Sequence, residues 1–312
     1  MKASAIYAKT MNFVWLKLGL GLLTLVISCV LLGLAFGIAA LFQFEGGLLF
    51  FLLGLWLVLT ASASGLINHY FGYLVKAGHI AVVTEAVTTG VLPDAQFSAA
   101  AEKVKARFAA SNVYFVVDRL VSGAVRQLQN GVDKVDSMLG NLPGVSALLT
   151  FAKLFIGVAL GYVDECCLGY TFYKQDQNAF KSAADGVVIY FQNWKTLMKS
   201  AAKTSLIVVG LFVAVTIVSF ALLGGLFALL GWSGWIAFLL SFLVAYAVKS
   251  AFIDSYIMIK MLSSYMQTAP STEITFDLYE KLCKLSRKFK ELFQKGKSEA
   301  SAAVPSPAPG TV

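Results

Sequence analysis

Two apolar runs near the N-terminus, residues 14–42 and 47–70, are separated only by Gln43, Phe44, Glu45 and Gly46. About 20 apolar residues in a helix cross a hydrocarbon core of roughly 30 Å, because a helix rises about 1.5 Å per residue. In lipid the backbone has no water to bond, so a run of this kind spans as a helix. The short connection then forces the two helices into an antiparallel hairpin. Residues 206–230 and 235–254 repeat the arrangement around a turn at 231–234, where Trp232 and Trp235 mark the membrane interface.

The composition agrees with a membrane-embedded chain. Hydrophobic residues make up 58% and charged residues 13%, against about 25% charged residues in a soluble domain. The mean hydropathy is +0.75. The run 18–42 is longer than the apolar region of a signal peptide and has no cleavage site, so it reads as a retained span. The pair Gly33 and Gly37 would let two helix backbones approach closely.

The 25 Lys and Arg residues outnumber 17 Asp and Glu residues, giving a net charge of +8. The excess lies beside the apolar runs, which points to anionic lipid head groups rather than nucleic acid, for which no motif is present. Neither turn, 43–46 nor 231–234, contains Lys or Arg, whereas the N-terminus, the stretches 75–142 and 174–203 and the C-terminal region all do. Four crossings keep every basic segment cytoplasmic, as the positive-inside rule requires; five do not.

The expected organisation is therefore a first transmembrane hairpin in residues 1–74, cytoplasmic amphipathic helices in 75–142, and an apolar re-entrant or interfacial segment with a basic loop in 143–203. A second transmembrane hairpin follows in 204–262, a basic amphipathic helix in 263–296 and a disordered Ala, Ser and Pro tail in 297–312. The fold class is all-α. Within 75–142, Ser98 is a candidate N-cap and Val104, Phe108, Phe115 and Val116 recur at helical spacing. In the C-terminal helix Ile274, Leu278, Leu285, Phe289 and Leu292 form the apolar stripe, among Lys281, Lys284, Arg287, Lys288 and Lys290. That helix is expected to bind the membrane surface through charge.

The segments Tyr162-Val163-Asp164-Glu165, Leu168-Gly169-Tyr170 and Asn178-Ala179-Phe180 carry a resemblance in their order. Over roughly residues 47–256 that order is similar to the C-terminal half of the choline transporter-like proteins, whose N-terminal spans and glycosylated ectodomain have no counterpart here. Asp164-Glu165 with Asp185-Gly186-Val187 and Tyr190-Phe191-Gln192-Asn193-Trp194-Lys195 more closely resembles an uncharacterised family of bacterial multi-pass inner-membrane proteins. That resemblance implies an inner-membrane location and no activity.

Ionisable groups at membrane depth cost about 2.5–3.5 kcal/mol on insertion scales, which makes Asp164 and Glu165 a candidate cation or proton site, with Asp185 as a third acid. Tyr162, Gln192 and Asn193 are candidate supporting polar residues. The structural alternative places the acidic pair at the inner interface, paired with Lys153 or Lys174, and makes Asp185 and Asn193 helix caps. Lys249 and Asp254 are five positions apart, rotated about 140° around an α-helix, so each is expected to need its own partner. The two histidines, His69 and His79, do not have metal spacing. The cysteines Cys29, Cys166, Cys167 and Cys283 have no disulfide or zinc spacing and are expected to be free. No cofactor is implied, and no catalytic motif supports an enzyme.

Two functions remain open. One is transport of a small cationic solute, with Asp164 and Glu165 at the cytoplasmic mouth of a homo-oligomer. The other is a membrane scaffold that binds lipid or partner proteins and has no solute path.

Overall fold

The structure, a computed structural model, describes residues 1–108, 111–139, 157, 159–231 and 234–302. The described residues form helices with no strand. In chain order these are α1 (Ala3–Lys9), α2 (Met11–Leu41), α3 (Gly47–Ile67), α4 (Tyr73–Thr89), α5 (Gln96–Arg107), α6 (Ser111–Leu139) and α7 (Val163–Tyr173). They continue as α8 (Ala179–Gln192), α9 (Trp194–Leu229), α10 (Gly234–Val248), α11 (Asp254–Thr268), α12 (Phe276–Leu285) and α13 (Arg287–Ala302). Two π-helical segments, Asn68–Gly72 and Lys249–Ile253, join α3 to α4 and α10 to α11.

Four helical stretches are long and apolar enough to cross a membrane: Met11–Leu41, Gly47–Thr89, Val209–Leu229 and Gly234–Ser271. They correspond to the four runs in the sequence. Of the expected re-entrant segment, residues 143–156 and 158 lie outside the described residues, Lys153 among them, as do Trp232 and the last part of the tail, 303–312.

The chain divides into two compact units. Unit 2 is Tyr7–Lys76 with Ile207–Ile257, and unit 1 is Met1–Ile6, Ala77–Leu206 and Met258–Val312. Unit 2 packs Leu32, Trp56, Phe227, Ala237 and Leu240 as its apolar centre. Beside them the buried indole of Trp56 donates to the carbonyl of Ser28 at 2.9 Å, and the Thr60 hydroxyl donates to Ser28 Oγ at 3.2 Å. Lipid offers no partner for such groups, so the spans satisfy them internally.

The close approach of spans occurs at Gly21, not at the expected Gly33 and Gly37. A Cβ on Gly21 would lie 2.8 Å from Ala247 Cβ, whereas one on Gly33 or Gly37 would meet nothing within 4 Å. A second expectation fails at Lys249 and Asp254. Lys249 Nζ lies 2.9 and 2.8 Å from the two Asp254 carboxylate oxygens. The cause is the π-helical segment between them, whose i→i+5 register brings residues five apart onto one face.

Unit 1 is built around the antiparallel pair α7 and α8. Their backbones come close because Gly186 faces Cys167: a Cβ on Gly186 would lie 3.1 Å from Cys167 Cα. Tyr265 of α11 donates to the carbonyl of Gly186 at 3.0 Å. Helix α5 begins at Gln96 with Ala95 in the N-cap position, so Ser98 lies inside the helix.

The basic C-terminal helix is two helices. Ser286 is buried with extended backbone (φ −134, ψ 115) between α12 and α13. Its hydroxyl accepts from the Phe289 N–H at 3.1 Å, the ordinary N-cap bond to the third helical residue. It also donates to Gln127 Oε1 of α6 at 2.8 Å. The resulting turn buries Tyr279, Leu282, Phe289 and Leu292 and leaves Leu285 exposed. Helix α13 packs on α8 and α6, and a Cβ on Gly296 would lie 3.0 Å from the Lys181 backbone. The apolar face expected to lie on the membrane is thus covered by protein. Helix α13 also runs on to Ala302, into the segment expected to be disordered.

Candidate functional site

Asp164 and Glu165 occupy the first turn of α7, where the helix dipole favours negative charge. Glu165 is 8% exposed and Asp164 is half-buried. Tyr162 is the N-cap residue of α7, and its side chain does not cap the helix. Lys174, one of the two cations expected to pair with the acids, binds Asp176 at 2.8 Å. That hydrogen bond holds the Asp176 carboxyl below its ordinary range and raises Lys174.

Asp185 is 3% exposed in α8, and its carboxylate is a junction rather than an open acid. One oxygen accepts from Gln177 Nε2 at 2.8 Å and faces Lys181 Nζ at 3.1 Å; the other accepts a short hydrogen bond from the Tyr279 hydroxyl of α12. Burial, then the charge of Asp185, raises the Tyr279 phenol well above its ordinary value and keeps it a donor. Gln192 and Asn193 play a similar part at the other end of α8. Gln192 Nε2 donates to the Glu273 carbonyl at 2.8 Å, and Asn193 Nδ2 donates to Thr272 Oγ1 at 2.9 Å. The two amides fasten the segment before α12 to α8. The partners of Asp185 are thus Gln177, Lys181 and Tyr279.

Sequence reasoning did not single out Arg107, the last residue of α5. Its guanidinium donates to the carbonyls of Gln177 and Lys174 at 2.9 and 3.0 Å and to Ser182 Oγ at 2.8 Å. A planar fork of donors suits such a turn better than an ammonium does. Burial lowers the guanidinium pKa, and Asp176 opposes that shift.

Two adjoining cavities, of about 410 and 350 Å³, open where α4, α5 and the end of α7 meet, and Glu85, Lys103 and Gln175 line both. Glu85 and Lys103 form an ion pair at 3.3 Å, each side chain about a third exposed. Arg107 and Glu102 line the larger cavity; Thr84, Phe172 and Tyr173 line the smaller. Neither cavity is lined by Asp164, Glu165 or Asp185. The cleft draws on segments scattered over 81–107 and 172–175, so no local spacing announced it.

Among the described residues no group of three or more His, Cys, Asp or Glu is placed to hold a metal ion. His79 is fully buried, and the four cysteines are free. Burial raises the thiols of Cys166 and Cys167 well above their ordinary value, a setting that suppresses thiolate chemistry. No family model, curated protein or solved structure matches the chain.

Proposed function

We propose that this chain is a multi-pass scaffold of the cell inner membrane, anchored by its four long apolar helices, with both termini and the basic stretches on the cytoplasmic side. The observation that carries this reading is the use of Asp185. A cation path needs carboxylates open to solute, and this one is buried and bound by Gln177, Lys181 and Tyr279. Glu165 is likewise buried.

The topology is supported by packing within unit 1. Helix α6, from the first basic stretch, packs on α7, which borders the second, and on α8, which lies within it. A bilayer does not pass between helices in contact, which supports a reading with both stretches on one side, and the positive-inside rule favours the cytoplasmic side. Lys281, Lys284, Arg287 and Lys290 are exposed on α12 and α13. They offer anionic lipid about 1 kcal/mol per cation near the surface.

The test is uptake of quaternary-ammonium and polyamine solutes into vesicles carrying wild type or the Asp164→Asn, Glu165→Gln double variant. A scaffold gives the same background uptake in both. Saturable wild-type uptake that the double variant loses would establish a carrier instead.

A further inference from the structure

We propose that the cleft between α4, α5 and the end of α7 binds a small organic amine through its ammonium group, with Glu85 as the counter-ion and Lys103 as the internal cation that the amine displaces. Binding there requires neither the scaffold reading nor a solute path.

The argument begins with unused acceptors. Glu85 offers Oε1 to Lys103 at 3.3 Å, but its Oε2 is shielded from solvent and has no hydrogen-bond partner among the described residues. Buried carboxylate oxygens are rarely left so, and an exception calls for an explanation. The neighbouring Thr84 supplies a second, independent exception. It is 3% exposed, lines the smaller cavity, and its hydroxyl has no partner among the described residues. A helical threonine ordinarily turns its hydroxyl onto the preceding turn. Thr88 and Thr89 do so here, donating to the carbonyls of Thr84 and Glu85 at 2.8 and 2.7 Å.

The remaining lining selects the ligand's charge. Gln175 donates Nε2 to the Phe172 carbonyl at 2.9 Å, which leaves its amide oxygen as the end able to accept. Glu102 adds a second carboxylate. On the donor side, the terminal nitrogens of Arg107 are committed to the α7–α8 turn and to Ser182, and Lys103 is engaged with Glu85. An anion would find only the Arg107 Nε–H without an acceptor and would have to compete with Glu85 for Lys103, whereas an ammonium finds oxygens of Glu85 and Thr84 that have no partner among the described residues. Tyr173 and Phe172 provide an apolar wall, and an aromatic face attracts a cation. The volumes fall in the range of small-molecule sites, about 300–1,000 Å³. Lys103 does not block entry, because an ion pair with both side chains about a third exposed is weak and exchanges readily.

The test is calorimetric titration of the full chain in nanodiscs of zwitterionic lipid, with n-butylamine as the probe. Tetramethylammonium, which has the charge without N–H donors, and butyrate serve as controls. Butylamine should bind saturably and tighter than tetramethylammonium, and butyrate should not bind. Glu85→Gln should weaken butylamine at least tenfold. Lys103→Met should strengthen it severalfold, because the competing cation is gone. That direction decides the matter even if the Glu85 variant folds poorly, since any site where Lys103 itself holds the ligand would weaken. No saturable butylamine binding by wild type, unchanged binding by a folded Glu85→Gln, or weaker binding by Lys103→Met would overturn the proposal.

Discussion

Replacing Asp185 by Ala tests whether this acid holds helices together. The substitution removes the acceptor for Gln177 and Tyr279 and leaves the Tyr279 hydroxyl, on a side chain 6% exposed, without its partner. Hydrogen bonds to a charged group are worth about 1.5–3 kcal/mol each, and an orphaned buried donor costs about 1–3 kcal/mol. The Lys181 contact adds at most about 1 kcal/mol, because that side chain is 47% exposed and water screens it. These terms overlap, because the orphaned donor is one end of a lost hydrogen bond, and the expected loss is roughly 3–5 kcal/mol, the range for breaking a buried charged pair. Tyr279→Phe should cost less, about 1–3 kcal/mol, since Asp185 keeps two partners. In a double-mutant cycle the pair should couple by roughly 1.5–3 kcal/mol. The assay is unfolding in mixed micelles, followed by reaction of the buried Cys166 and Cys167 thiols with a maleimide. A loss under about 1 kcal/mol for Asp185→Ala, or simple additivity with Tyr279→Phe, would refute the latch and return Asp185 to the list of open acids.

Other consequences are as direct. Gly21→Leu should push apart the spans that meet at Ala247 and cost about 1–3 kcal/mol by overpacking, whereas Gly33→Ala and Gly37→Ala should be nearly neutral; the same unfolding assay decides. Lys249→Met and Asp254→Asn should each cost about 1 kcal/mol, and the double variant should cost no more than the worse single one, because each removes the same pair. The raised Tyr279 pKa means that the folded state keeps its proton longer than the unfolded chain does. The associated stability is therefore fully present below about pH 10, the unfolded value, and is lost as pH rises from there toward the folded value. Tyr279→Phe should flatten part of that alkaline decline in a pH series of unfolding midpoints, and an unchanged slope would contradict it.

The four long apolar helices were legible because hydropathy over about 20 residues is a strong signal that depends on no tertiary contact. The turn at 43–46 was legible for the same reason. The Lys249–Asp254 pair was not, because α-helical geometry puts the two on different faces and the π-helical register that reunites them has no mark in composition. The C-terminal stripe was visible, but its cover was not: periodicity shows that a face is apolar without saying whether lipid or protein meets it. Ser286 was the missed signal, since it stands where a second N-cap belongs. Asp164 and Glu165 drew attention as acids in apolar surroundings. The cleft around Glu85 escaped because Glu85 and Lys103 are ordinary residues on separate helices, and no local spacing pairs them.

The placement of both basic stretches on one face of the membrane is the claim on which the account rests. Single cysteines in place of Gln129 and Gln175, in a chain whose Cys29, Cys166, Cys167 and Cys283 are replaced by Ser, can be treated with a membrane-impermeant maleimide in sealed vesicles of each orientation. The account predicts that both positions react in the same orientation, from the cytoplasmic side. Reaction of Gln129→Cys from one side and Gln175→Cys from the other would contradict it.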